Sequence, residues 1–221
     1  MRGETEGGVA PNTMPDPTWL LWARELQAMS QTGLAFPTSH WDQARYERLR
    51  ALAAEIIAAH TPIPAPAFAQ AFAQEWGYPT PKLDVRAAIF RNDQLLLVRE
   101  TADNHKWTLP GGWADINLTP AENAAKEAFE ETGFTVHPTK LAAALDRTRQ
   151  GHTPQPFSAA KLFFLCEITG GEAKTSHETS EIAFFPEHAL PEDLSVERTT
   201  SAQLHRMFAH HNNPGLPADF D

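Results

Sequence analysis

Three glutamates carry the chemistry this sequence is best equipped to do. Glu127, Glu130 and Glu131 lie in GGWADINLTPAENAAKEAFEETGF, the stretch from Gly111 to Phe134. At about 100° per residue on a helix they fall within one arc. Leu118, Ala121, Ala125, Ala128 and Phe129 fall on the opposite side. Carboxylates gathered this closely repel one another unless a cation lies among them, so the pattern reads as a metal site. The alternative for three acidic residues on a helix alone is a solvated surface face.

The elements that must position these side chains are marked at both ends. Thr119 suits the N-cap, Pro120 the first helical position, and Glu122 completes a Thr-x-x-Glu capping box. Gly133 suits the left-handed residue that closes the helix. Gly111 and Gly112 can bring bare backbone close to a ligand. A glycine loop, a capped start and a glycine stop together argue against a merely solvated face.

The remaining composition narrows the function classes. The net charge of −10 excludes a general nucleic-acid or membrane-surface binder, which needs a basic patch. It leaves room for a nucleotide whose phosphates are reached through a metal. Cys166 is the single cysteine, which excludes an intramolecular disulfide and a cysteine zinc cluster. It sits in an apolar run and reads as core. His105, His152 and His177 match no zinc spacing. With no apolar run of about 18 residues and no signal-peptide pattern, a soluble cytoplasmic protein is expected.

At 221 residues the chain can bury one core plus a small accessory unit, and its 18 prolines favour that division. Residues 1–15 are polar and aperiodic and are expected to be disordered, with Met14 a possible natural start. Residues 16–77 read as three helices. The first carries Trp19, Trp22, Ala23, Leu26 and Met29 at helical spacing and ends at Gly33. The second starts at Ser39 and Asp42 and buries Ala44, Leu49, Leu52, Ala53, Ile56 and Ile57. The third holds Phe68, Phe72 and Trp76 and ends at Gly77. Three helices of this length make a marginal core, so the unit should lean on its neighbour or on a second copy, giving a homodimer.

Tyr78-Pro79-Thr80-Pro81 reads as a boundary, and a second domain is expected over residues 82–211. There Val85–Phe90 and Gln94–Val98 form a hairpin at Asn92-Asp93. Leu141–Arg149, Lys161–Ile168 and Ile182–Phe185 read as strands, Thr200–His210 as a final helix, and the tail as frayed. Strands and helices mixed without regular alternation indicate an α+β fold.

The Gly111–Phe134 stretch resembles the Nudix box, with Gly112, Lys126-Glu127, Ala128, Glu130-Glu131, Gly133 and Phe134 in its fixed positions. Leu118 stands where that pattern has a first Glu, and Lys126 where it has Arg; both are read in the family as bracing residues. TGL at Thr32–Leu34, DVRAAIF at Asp84–Phe90, LLLVRE at Leu95–Glu100, KLFFLCEI at Lys161–Ile168 and ETSEIAFF at Glu178–Phe185 extend the likeness. Together they resemble a Nudix subfamily with an added N-terminal helical domain. The resemblance implies an α/β/α sandwich with a mixed sheet, preceded by a small all-α domain. It also implies Mg²⁺ or Mn²⁺ on Glu127, Glu130 and Glu131, and hydrolysis of a nucleoside diphosphate linked to another group, such as CDP-choline or ADP-ribose. The expected products are a nucleoside monophosphate and a phosphorylated leaving group.

Such enzymes often take a general base from outside the box, and Glu181, then Glu178, are the candidates. Arg86, Arg99, Arg147 and Lys161 are candidates for phosphate contacts, with the Gly111-Gly112 backbone beside them. No membrane and no stable nucleic-acid partner is expected. Two other readings stay open: a cleaner of damaged nucleoside triphosphates, and a ligand-sensing Nudix module that binds without cleaving.

Overall fold

The computed structural model describes residues 16–36 and 39–221, so the Met1–Pro15 expectation lies outside the described residues. The chain divides into two compact units, residues 16–82 with 154–159, and residues 83–153 with 160–221.

The first unit contains α1 (Thr18–Ala35), α2 (His40–Ala58) and α3 (Ala65–Ala73) around Leu20, Ala23, Ala53, Ala54, Ile57, Phe68 and Phe72. Ser39 caps α2 by accepting the Asp42 N–H, which leaves one orphan donor fewer at that end. The buried face of α1 differs from the stripe expected from spacing. Trp22 and Met29 are 60% and 50% exposed, while Gln27, Ser30 and Gln31 are buried. Burial of Ser30 and Gln31 is tolerated because they are bonded, whereas Gln27 donates to Gln31 at 3.3 Å and leaves its own Oε1 without a partner among the described residues. Ser30 Oγ donates to the Tyr46 carbonyl at 2.7 Å, and Gln31 Nε2 donates to that of Gly77 at 3.2 Å. In α2, Ala44 is exposed and Ala54 takes a core place. The third helix stops at Ala73, short of Gly77, and leaves Trp76 78% exposed.

Gly33 does not end α1 but lies inside it, where a Cβ would stand 2.4 Å from the Tyr46 ring. The residue therefore lets α2 approach. Gly33→Ala should destabilise the helical unit by about 1–2 kcal/mol, the overpacking outweighing the helix-propensity gain. A lowered unfolding midpoint in urea, followed by circular dichroism, checks this.

The second unit holds β1 (Lys82–Arg91), β2 (Gln94–Glu100), β3 (Lys106–Thr108), α4 (Pro120–Thr132), β4 (Phe134–Asp146), β5 (Ala159–Gly171), β6 (Thr179–Phe185), α5 (Ser201–Asn212) and β7 (Asp219–Phe220). Asn92 and Asp93 both adopt positive φ, 50° and 57°, as a two-residue hairpin turn between β1 and β2 requires. The sheet runs β3-β2-β1-β5-β4-β7, with β6 also pairing β2. It is mixed, since β4 pairs antiparallel with β5 and parallel with β7.

Alternate residues of β1 and β2 serve opposite faces, as the period of two demands. Ala88, Leu95, Leu97 and Phe163 pack with Leu204, Met207 and Phe208 of α5. Val85, Ala87, Ile89, Leu96 and Val98 pack with Ala124 and Ala128 of α4. Helices on both faces of a mixed sheet give the α/β/α sandwich. The tail expected to fray instead forms β7, and Gln150 Nε2 donates to the Asp221 carboxylate at 2.7 Å. Two residues carry too little periodic signal to announce such a strand.

Candidate active site

The ends of α4 form as their sequence directs. Thr119 Oγ1 accepts from the Glu122 N–H at 3.2 Å, the Glu122 carboxylate accepts from the Thr119 N–H at 2.7 Å, and Gly133 closes the helix at φ 74°. Its docking face differs from the expected one. Ala124 and Ala128 are buried, with Asn123, Glu131 and Thr132 beside them, whereas Phe129 is 56% exposed and Leu118 is exposed. The helix is turned so that the edge of the acidic arc, not only the apolar residues, faces the sheet.

The three glutamates consequently occupy different environments. Glu131 is buried, Glu127 is largely buried and Glu130 is exposed. Gly111 N–H donates to Glu131 Oε2 at 3.2 Å. A Cβ on Gly112 would stand 3.0 Å from Glu127 Oε2, so the glycine loop rests directly on these two carboxylates. Gly111 has φ 140°, and a Cβ there would stand 2.0 Å from the Val85 carbonyl oxygen, so only glycine fits. The loop is held as an extra strand: Val85 N–H donates to Gly112 O and Ala87 N–H to Pro110 O, both at 2.9 Å.

Burial pushes the Glu131 carboxyl up to about 8, against the Arg86 charge and the Gly111 hydrogen bond that favour its ionised form. Glu127 is raised too, first by burial and further by the like charges of Glu130 and Glu178. Carboxylates that strain against ionisation in company are a donor set suited to a hard divalent cation. Among the described residues no three His, Cys, Asp or Glu side chains stand in a ready-made metal cage. Glu130 is paired with Lys126 at 2.7 Å, and the same ammonium lies 3.7 Å from Glu127.

The two base candidates part company. Glu181 Oε2 lies 3.0 Å from Arg99 Nε, off the N–H axis, in an ion pair that also includes Asp193 at 3.3 Å. Glu178 lies near enough for its charge to act on Glu127, and its Oε1 stands 3.3 Å from His177 Nε2. The strand that follows it, β6, is tied to the last turn of α4 by Thr179 Oγ1, which donates to the Glu131 carbonyl at 2.7 Å.

Of the basic candidates, Arg86 and Lys161 are buried around Asp84. Arg86 makes a two-pronged pair with it at 2.7 and 2.9 Å, Lys161 Nζ lies 2.6 Å away, and Arg86 Nη1 also donates to the Leu109 carbonyl. Burial alone would raise the Asp84 carboxyl, yet the two cations hold it below the ordinary carboxylate range. Arg99 lies over the Trp107 ring. Arg147 is buried against Glu197 at 2.7 Å and donates to the Thr153 carbonyl. His152 is fully bonded: Nδ1 meets the Val196 carbonyl at 2.6 Å and Nε2 meets Gln203 at 3.0 Å. Burial holds it near 4, so it is a neutral structural clasp.

Two residues of the site escaped sequence reasoning. Asp84 is the hub of the buried charges, and its i, i+2 spacing from Arg86 on a strand was the available signal. Asp115, whose carboxylate lies 3.2 Å from Lys126, comes from a loop where no periodicity points to it.

A mixed sheet between helices, with a glycine loop seated on the glutamates of a capped helix, is the architecture of a Nudix domain. The "NUDIX domain" description matches residues 80–206, and that of a "UDP-X-like, N-terminal oligomerisation domain" matches residues 17–72. A Bacillus subtilis (strain 168) protein named "Putative ADP-ribose pyrophosphatase YjhB" is 43% identical over 92% of this chain and 97% of its own. Among solved structures, an ADP-ribose pyrophosphatase from Streptococcus suis 89-1591 is 37% identical, with a TM-score of 0.58 over 64% of this chain and all of its own. A UDP-X diphosphatase is 30% identical, with a TM-score of 0.59 over 94% of this chain and all of its own. The chain belongs to the Nudix family and is a pyrophosphohydrolase of that family, with the helical N-terminal domain of the UDP-X-like group.

Proposed function

We propose that this protein hydrolyses the pyrophosphate bond of a nucleoside diphosphate linked to a second group, with ADP-ribose the first substrate to test and CDP-choline or a UDP-linked compound next. The observation that carries this is the seating of the Gly111-Gly112 backbone on Glu131 and Glu127. It holds a carboxylate pair beside backbone that carries no side chain, a place where a cation could meet an anionic phosphate bridge. The names of the relatives support the choice of ADP-ribose.

Glu127, Glu130 and Glu131 are the residues that would hold Mg²⁺ or Mn²⁺. Such a cation, when bound, neutralises phosphate oxygens and lowers the pKa of a bound water. Glu131 is fixed in place by the Gly111 N–H, and Arg86 lends both Glu131 and Glu127 a favourable charge. Glu178 takes the proton from the attacking water, since its charge reaches Glu127 while Glu181 is engaged by Arg99. Of the cations expected at the phosphates, Arg86, Lys161 and Arg147 are buried in ion pairs with Asp84 and Glu197 and act on the site only through its framework, which leaves the partly exposed Arg99 as the one proposed to contact a phosphate. Retention of all three glutamates favours an enzyme over a binding module. The N-terminal helices supply a homodimer interface, supported by Leu21, Trp22, Met29 and Trp41, all exposed in the helical unit.

The test is a panel: ADP-ribose, CDP-choline, a UDP-sugar, NADH, a diadenosine polyphosphate and nucleoside triphosphates, each with Mg²⁺ or Mn²⁺, reading the monophosphate released. Preference for a triphosphate over every diphosphate-linked compound would replace this reading with that of a pool cleaner. Glu178→Gln should lower kcat by about 10²-fold with KM little changed, as loss of a general base does. Glu181→Gln should stay within a few-fold; the reverse order, measured by steady-state kinetics, would assign the base to Glu181.

A further inference from the structure

Lys126 is shared among three carboxylates. Its Nζ lies 2.7 Å from Glu130 Oε2, 3.2 Å from Asp115 Oδ2 and 3.7 Å from Glu127 Oε1. Two of these partners are the glutamates proposed above as metal ligands, and the third belongs to the loop before α4. A divalent cation entering between Glu127 and Glu130 would compete with the ammonium for the same lone pairs and repel it. Lys126 can yield without moving the helix, because a four-carbon stem swings its charge over several ångströms.

Asp115 offers a fixed destination. Its backbone is pinned to α4 by buried Asn123, whose Oδ1 accepts from the Asp115 N–H at 2.8 Å and whose Nδ2 donates to the Asp115 carbonyl at 3.2 Å. The box has no glutamate at Leu118, so Asp115 is the loop carboxylate that faces Lys126.

We propose that Lys126 is a stand-in cation, shared by Glu130, Asp115 and Glu127 and left to Asp115 alone when metal binds. Asp115 is then a positioning residue: by receiving the ammonium it frees the two glutamates. The inference rests on the reading of Glu127, Glu130 and Glu131 as metal ligands, and it fixes the signs of two substitutions. Asp115→Asn removes the receiving group, so Lys126 stays on Glu130 and metal binds more weakly. Lys126→Met removes the competitor, so metal binds more tightly, while the metal-free protein loses the charge that offsets its carboxylates. With Lys126 gone Asp115 has nothing to receive, so the double variant should behave as Lys126→Met alone.

The experiment is titration of the full-length protein with Mn²⁺, read by the electron spin resonance of the free ion, with metal-free melting followed beside it. The dissociation constant should rise about three-fold in Asp115→Asn and fall about three-fold in Lys126→Met, the size expected of partly exposed ion pairs. The metal-free Tm should fall in Lys126→Met. Weaker binding in both single variants, or a double variant that adds their effects, would overturn the exchange and leave the metal site standing. Wild-type protein that binds no Mn²⁺, or binds it unchanged after Glu131→Gln, would overturn the metal-site reading and the exchange with it.

Discussion

Glu131→Gln should lower kcat/KM for the cleaved substrate by about 10³-fold, a loss of about 4 kcal/mol in transition-state stabilisation. The amide keeps the shape of the carboxyl and can still accept the Gly111 N–H, so the loop stays seated. It cannot supply the charge that a bound divalent cation needs. Stability should move the other way. Glu131 is buried, and its folded pKa of about 8 stands above the ordinary value for a free glutamate. An acid raised in this way costs stability at every pH above its unfolded value, and the cost is largest above the folded one. A neutral amide removes that cost, so at pH 7 the metal-free variant should melt at or above the wild-type temperature. Steady-state kinetics beside calorimetry of the metal-free protein checks both halves.

Asp84→Ala should be the most damaging single change to the Nudix domain, costing about 3–5 kcal/mol. Asp84 is the partner of two buried cations, Arg86 and Lys161. Its removal leaves both charges facing each other in the interior. Arg86 then loses its two-pronged pair and keeps its hydrogen bond to the Leu109 carbonyl, which carries no compensating charge. Lys161→Met is the contrasting variant. It removes a cation that burial already pushes down toward 7 and leaves Asp84 with its two-pronged Arg86 pair. That change should cost under about 1.5 kcal/mol, since methionine fills a similar volume without a charge to desolvate. Unfolding in urea, followed by tryptophan fluorescence, orders the two. Equal losses would mean that the cluster depends on Lys161 as much as on Asp84, and would contradict this ordering.

The parts of the structure legible in the sequence are those that rest on local rules. The α4 caps, the Asn92-Asp93 turn and the hydrophobic runs of β1, β2 and β5 depend on neighbours within a few residues, and each forms where its residues indicate. What escaped depends on distant partners. Gly33 looks like a helix stop until Tyr46 of α2 is seen against it. Trp22 and Met29 look like core until Ser30 and Gln31 find carbonyls that make their own burial tolerable. In the site, the arc of three glutamates was readable from spacing. The inequality among them was not, because it comes from the rotation of α4 on the sheet and from Lys126. Asp84 and Lys161 lie 77 positions apart, and no local period joins them.

No helix among the described residues is long and apolar enough to cross a membrane. The helical unit leaves several aromatic side chains in water, which is a costly surface for a lone copy and suits the proposed homodimer.

The glutamates of α4 are proposed to drive metal-dependent cleavage of a pyrophosphate bridge. Phosphorus magnetic resonance of ADP-ribose incubated with the full-length protein tests it most directly, with Mg²⁺ in one sample and excess chelator in another. The expected result is replacement of the diphosphate signals by those of two monophosphates, AMP and ribose 5-phosphate, with Mg²⁺ only, and their persistence with Glu131→Gln. Cleavage that proceeds under chelator, or that Glu131→Gln leaves at the wild-type rate, would contradict it.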